Sequence, residues 1–272
     1  MKKKKIVYYS DPLNDDFGTK HDRPDVYGTF KFYRKGLDKF FCDLIAFALA
    51  TPVVYFLSKI FGYKYITDKK LAKTKLLKTG YFIYANHVSS FDVASMIIFG
   101  LPRRIDFVGY SDPLTMPFVR RIIRPLGFLP LPTNPLDLVK FQEVLEYYTV
   151  KNNEAVVLFP EAHIWPQYTG IRDFKRSSFR YPAKFNRPIL PIFFARRPKR
   201  GIYRLKRKNP VSVYIGDFIY PKDELSMKEN EKYLGDECYK WMKNISETVP
   251  MDSTIDYVYI DKKFNPNYDI KE

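Results

Sequence analysis

Two acid–base residues stand five apart in the run Asn86-His87-Val88-Ser89-Ser90-Phe91-Asp92, and their types and spacing could do chemistry. A carboxylate that accepts a hydrogen bond from one imidazole nitrogen leaves the other nitrogen basic and pointing outward. That base-plus-orienter pair activates a hydroxyl. The chain has no Gly-x-Ser-x-Gly turn to supply its own nucleophile. The hydroxyl is then the substrate's, and the reaction a group transfer to an alcohol. The same residues permit a plainer reading, because Ser89-x-x-Asp92 is also a helix capping box.

A second constellation is Val156-Val157-Leu158-Phe159-Pro160-Glu161-Ala162-His163-Ile164-Trp165, where proline enforces an extended exit ahead of a glutamate. Glu161 there could hold a substrate hydroxyl, or could be a surface-loop glutamate. Downstream, Lys175, Arg176 and Arg180 cluster near an expected helix start, a place that favours an anion and that a solvated charge run would also fill. His87, Asp92, Glu161 and His163 could in principle ligate a metal, the least favoured reading; no metal and no cofactor are expected.

Placing these residues takes strands that alternate with helices. Buried strands are expected at Tyr81–Ala85, Ile105–Val108, Gly127–Leu131, Ala155–Phe159, Ile189–Phe194 and Val211–Ile215. Helices are expected at Asp92–Phe99, Pro117–Arg124, Leu136–Lys151, Ser177–Phe185 and Met227–Ile245. This order predicts an α/β fold: a single domain with a mostly parallel mixed sheet flanked by helices. Ligands of such sheets sit beyond the carboxyl ends of strands, where Asn86-His87 and Pro160-Glu161 fall.

Composition narrows the partners. Among 272 residues, 46 Lys and Arg face 30 Asp and Glu, a net charge of +16 that calls for an anionic partner. Two cysteines, Cys42 and Cys238, exclude a disulfide framework and a four-cysteine zinc site. The aromatics are scattered and form no RNA-binding signature, so no nucleic acid is expected. No cleavable signal follows the basic start, which suggests a cytoplasmic protein. The strongest apolar stretch runs from Phe40 to Gly62, with 14 residues between Asp43 and Ser58 that are apolar except Thr51 and Pro52. Lys31, Arg34, Lys35 and Lys39 precede it, and Lys64, Lys69, Lys70, Lys73, Lys75 and Lys78 follow. Positive charge on both sides favours lying on the cytoplasmic face of an anionic membrane over crossing it. Pro52 is expected to bend the segment into a shallow hairpin. The expected organisation is a charged aromatic arm (1–39), a membrane-associated helical segment (40–62), an α/β domain (63–247) and a tail (248–272).

Taken in order, the blocks NHVSSFD, RRIIRPLGFLPLPT, FPEAHIW and ILPIFF resemble the glycerolipid acyltransferase family, which includes the lysophosphatidic acid acyltransferases. The resemblance covers about Thr79 to Phe194. It implies a single αβ domain with a membrane-attached N-terminal helical element. It implies that His87 is the general base and Asp92 its orienter, and that Asn86 and Glu161 meet the acceptor. It further implies an acyl thioester donor, acyl-CoA or acyl carrier protein, and a lysophospholipid acceptor such as lysophosphatidic acid, in phospholipid biosynthesis.

Departures from the family pattern bear on the acceptor. Where the family reads FPEGTR, Ala162 replaces glycine, His163 threonine, and Ile164 the arginine that usually meets phosphate. Tyr110 or Ser111 stands near an expected basic residue, and Thr133 where an arginine often follows. Arg120, Arg121 and Arg124 or Arg172, Lys175 and Arg176 are expected to supply the phosphate contact instead. The alternatives are an acyltransferase for an acceptor without phosphate and a membrane-binding protein without catalysis.

Overall fold

Short runs rich in Val, Ile, Phe and Tyr become nine strands among the residues described by the computed structural model, which are 4–15, 17, 23–66, 79–100 and 103–261. They are β1 (Lys5–Tyr9), β2 (Tyr63–Ile66), β3 (Tyr81–Ala85), β4 (Ile105–Gly109), β5 (Phe128–Pro130), β6 (Ala155–Leu158), β7 (Ile189–Arg196), β8 (Val211–Ile215) and β9 (Ile255–Tyr259). Seven pair into one sheet in the order β2-β8-β7-β3-β6-β4-β5. Every neighbouring pair is parallel except β7 and β8, which form an antiparallel hairpin. The carboxyl ends of β3, β4, β5, β6 and β7 therefore share one edge. β2 and β8 run the other way and bring their starts, Tyr63 and Val211, to the same edge.

Alternation along each strand builds a core on both faces of the sheet. Phe82, Tyr84, Val156, Leu158 and Phe193 pack on one side with Phe141, Val144, Leu234 and Cys238. Tyr81, Ile83, Ala155, Val157, Ile192 and Phe194 pack on the other with Met96. The helices are α2 (Phe91–Gly100), α3 (Val119–Ile123), α4 (Leu138–Glu146), α5 (Arg180–Phe185) and α6 (Met227–Thr248); α3 alone buries none of its residues. Three begin later than the sequence suggests. α3 follows a 3₁₀ turn at Asp112–Thr115, α4 one at Pro135–Asp137, and α5 one at Arg176–Phe179. Prolines at the first positions of the first two turns suit the tighter winding.

The expected hairpin at Pro52 is not formed. A single helix, α1 (Gly36–Phe61), runs through it. Proline lacks an N–H and crowds the preceding turn, so Leu44–Ala50 widens into a π-helical stretch. Thr51 donates to the Ala46 carbonyl from both its backbone N–H and its hydroxyl. α1 ends at Gly62, whose φ of 76° only glycine adopts readily and where a Cβ would lie 2.5 Å from the Tyr203 ring. Its 26 residues are long and apolar enough to cross a membrane. Little of it is buried: Leu37, Phe40, Leu49, Val53 and Phe56 are each more than half exposed. The following lysines 69–78 lie outside the described residues, as does His21.

The N-terminal arm is bound tightly to the domain. Arg34 is buried and donates from one nitrogen to both oxygens of Asp106, at 2.7 and 2.8 Å, and to Glu154 at 3.0 Å. Tyr27 and Phe32 are buried beside it. Beside the same carboxylate Gly127 (φ 103°) passes so close that a Cβ would sit 2.6 Å from Asp106 Oδ1. Arg34→Ala would leave two buried carboxylates facing each other. It should lower unfolding free energy by about 3–5 kcal/mol, seen as an earlier urea midpoint.

Candidate active site

The strand–helix turn after β3 is shaped by one carboxylate. Asp92, fully buried in the first turn of α2, accepts from the Val88 N–H at 2.9 Å and the Ser89 N–H at 2.7 Å through Oδ2. Its Oδ1 accepts from the Tyr63 hydroxyl at 2.9 Å. The same Oδ2 lies 3.5 Å from His87 Nδ1. Burial, with the Asp92 charge next, pushes the Tyr63 phenol well up, so it remains a donor. The capping interaction is therefore present: Asp92 reaches back to Ser89, and Ser89 Oγ accepts from the Phe91 N–H. It coexists with the His87 contact. The imidazole is partly exposed and stacks on Phe159, with ring centroids 4.2 Å apart.

Glu161 follows β6, the strand next to β3, and is itself buried. Arg172 Nε donates to its Oε2 at 2.8 Å, while Oε1 has no hydrogen-bond partner among the described residues. Burial pushes the carboxyl up to about 7, against the opposing pull of the Arg172 charge. Near neutrality it can thus accept from or donate to a hydroxyl. The loop that carries it is stitched to the His87 turn. The Trp165 N–H donates to the His87 carbonyl at 3.2 Å, and the Gln167 N–H to the Val88 carbonyl at 3.0 Å. Ala162 holds φ at 64°, the left-handed region that favours glycine.

The two chemistry-bearing blocks thus meet at the carboxyl edge of the sheet, but other expected site residues are employed elsewhere. Asn86 is buried and closed to substrate: its Nδ2 donates to the Phe194 carbonyl and its Oδ1 accepts from the Phe194 N–H, clamping β3 to β7. Arg124 grips Asp38 at 2.6 Å and the Lys31 carbonyl at 2.7 Å, tying the arm to α3. Arg172 is consumed by Glu161 and by the carbonyls of Pro12 and His163. Arg176 pairs with Asp236 on α6 at 2.6 Å. Lys175 is exposed, and its backbone N–H bonds the Pro160 carbonyl. The three arginines hold the scaffold because buried or nearby carboxylates reach them first. Among the described residues no three His, Cys, Asp or Glu side chains converge as metal ligands would.

A cleft of about 500 Å³ opens beside the His87 turn. Phe61 at the end of α1, Phe91 and Ile164 form apolar wall, and Arg196, Lys206, Arg207 and Lys208 bring positive charge. Sequence patterns did not single out Tyr63, Arg196 or the basic β7–β8 connection. Tyr63 is one tyrosine of many, and only the pairing of β2 with β8 carries it to Asp92.

Residues 64–195 match the profile of a family described as Acyltransferase. No curated protein matches the chain. Among solved structures, the 1-acyl-sn-glycerophosphate (LPA) acyltransferase PlsC from Thermotoga maritima has a similar fold, with 19% identity and a TM-score of 0.54 over 79% of this chain and 84% of that one.

Two stability measurements probe the Glu161 loop. Because its folded pKa is raised above the ordinary 4.5, the folded state binds the proton more tightly, and this contribution is lost as pH rises from about 4.5 to about 7. The unfolding free energy of the wild type minus that of Glu161→Gln should therefore fall across that window in denaturant titrations at stepped pH. Ala162→Gly should relieve left-handed strand-end backbone at the smaller entropic cost of glycine, raising stability by roughly 1 kcal/mol in the same assay.

Proposed function

We propose that this chain, whose residues 64–195 match the acyltransferase family profile, is a membrane-associated enzyme of that family moving a fatty acyl group from an acyl thioester to a lysophospholipid hydroxyl, with lysophosphatidic acid as the acceptor. One observation carries the reading. His87 Nδ1 faces the buried Asp92 carboxylate at the end of β3, while Glu161 holds an unpartnered Oε1 at the end of neighbouring β6.

The chemistry follows from these positions. Asp92 orients the imidazole through Nδ1 and favours the cation it becomes. His87 Nε2 takes the proton from the acceptor hydroxyl as that oxygen attacks the thioester carbonyl. The tetrahedral adduct collapses with loss of the thiolate, which recovers the proton from His87. Glu161 Oε1 receives an acceptor hydroxyl and positions it. An ester C–O bond forms, a C–S bond breaks, and no cofactor takes part. The donor is acyl-CoA or acyl carrier protein. The exposed apolar length of α1 and the surplus of basic residues support attachment to the cytoplasmic face of an anionic membrane.

A second reading, an acceptor without phosphate, has its own support. Ile164 lines the cleft where the family's arginine would stand, and Arg172 is committed to Glu161. A panel of labelled lysolipids with acyl-CoA and acyl carrier protein separates the two: preference for a neutral lysolipid over lysophosphatidic acid would abandon the phosphate acceptor.

His87→Ala should lower acyl transfer by about 100-fold or more while leaving the fold intact, since its ring is partly exposed. Asp92→Asn should lower both rate and melting temperature, because the carboxylate serves the histidine and three structural donors. Loss of melting temperature with an unchanged rate would reduce Asp92 to a cap.

A further inference from the structure

The antiparallel turn between β7 and β8 is an unusual surface. Six of the ten residues from 199 to 208 are Lys or Arg, and none is acidic. Ile202 and Leu205 stand on it 69% and 88% exposed. Soluble surfaces carry isolated apolar residues without consequence, but aliphatic tips set among cations on a short 3₁₀ turn, Gly201–Leu205, match a lipid interface: the tips enter the acyl boundary and the cations meet phosphates. A polyanion without an apolar phase would leave both aliphatic tips in water.

Its location supports the same partner. Tyr203 donates its hydroxyl to the Lys59 carbonyl at 3.3 Å, and its ring fills the space a side chain at Gly62 would need. The turn is thus fastened to the end of α1, the helix whose apolar side chains are most exposed. Lys199 Nζ donates to the Lys206 and Arg207 carbonyls at 2.8 and 3.0 Å, closing the turn on itself and leaving Arg200, Arg204, Lys206, Arg207 and Lys208 exposed.

We propose that this turn, residues 199–208, is a second membrane-contact element that seats Ile202 and Leu205 in an anionic lipid surface beside the end of α1. The proposal extends the membrane attachment proposed above and requires no acyl transfer. It gives the cleft an orientation. Lys206, Arg207 and Lys208 stand both on the turn and at the cleft, so seating the turn brings the cleft to the headgroup layer, within reach of a lipid acceptor.

Cys42 and Cys238 are buried, so a single introduced cysteine can carry an environment-sensitive fluorophore. The label is placed at Ile202→Cys, at Leu49→Cys on α1, and at Lys240→Cys on exposed α6. Phosphatidylcholine vesicles containing phosphatidylglycerol should shift the emission of positions 202 and 49 to the blue and leave 240 unchanged. Lys206→Glu, Arg207→Glu and Lys208→Glu together should weaken vesicle binding about tenfold or more and reduce the shift at 202. Insertion at 49 with an aqueous signal at 202 overturns the proposal and spares the attachment of α1. An aqueous signal at both positions overturns the two together. Unchanged vesicle affinity in the triple variant also overturns it, and if the KM for acyl-CoA rises at the same time, the cations serve the donor.

Discussion

A carboxylate removed from water must find donors for both oxygens, and Asp92 finds them in two separate parts of the chain. Val88 and Ser89 bring it their backbone N–H groups, Tyr63 its hydroxyl, and His87 stands at the edge of the same site. Tyr63 opens β2, the strand that follows α1 after one glycine. Satisfying a single buried charge thereby joins the apolar helix to the turn that holds the imidazole. A helix cap and a strand position are the same set of hydrogen bonds, and the proposed base stands against the carboxylate that anchors both.

The remaining framework repeats this economy of charge. Arg34 answers Asp106 and Glu154, Arg124 answers Asp38, and Arg172 answers Glu161. The first ties the N-terminal arm to β4, the second ties the start of α1 to the end of α3, and the third closes the Glu161 loop on itself. Buried ion pairs contribute little net stability but penalise every arrangement in which one partner is alone. They fix where the arm and the Glu161 loop can lie. Glu161 retains one unanswered oxygen, and burial raises its pKa against the pull of the Arg172 charge.

Much of this was legible in the residues. The runs Tyr81–Ala85 and Val211–Ile215 are apolar, bounded by turn formers, and fold as strands over those very bounds. The His87 and Glu161 blocks stood out because polar residues follow buried runs, and parallel pairing of β3 with β6 does bring those ends together. The roles of Arg124, Arg172 and Arg176 were not legible, because a guanidinium's partner depends on which carboxylate folding brings within reach. Nor were β1 and β9: Lys5–Tyr9 follows a lysine run and Ile255–Tyr259 carries an aspartate inside, so each resembles a solvated segment until it pairs with the other. Pro52 misled because its effect was absorbed by widening the preceding turn, which local sequence does not announce.

The pairing of β1 with β9 sets an order of events. Lys5 lies opposite Ile255, 250 residues later. Trp165 of the Glu161 loop is packed against both strands, edge-on to Tyr9 and stacked on Tyr257. During synthesis α1 leaves the ribosome early, whereas the cover over this loop cannot assemble until β9 has been translated. Long-range closure of this kind is the slow part of folding. The nascent polypeptide therefore exposes its apolar helix well before the Glu161 loop is covered, and on the function proposed above its attachment to a bilayer would come before its activity.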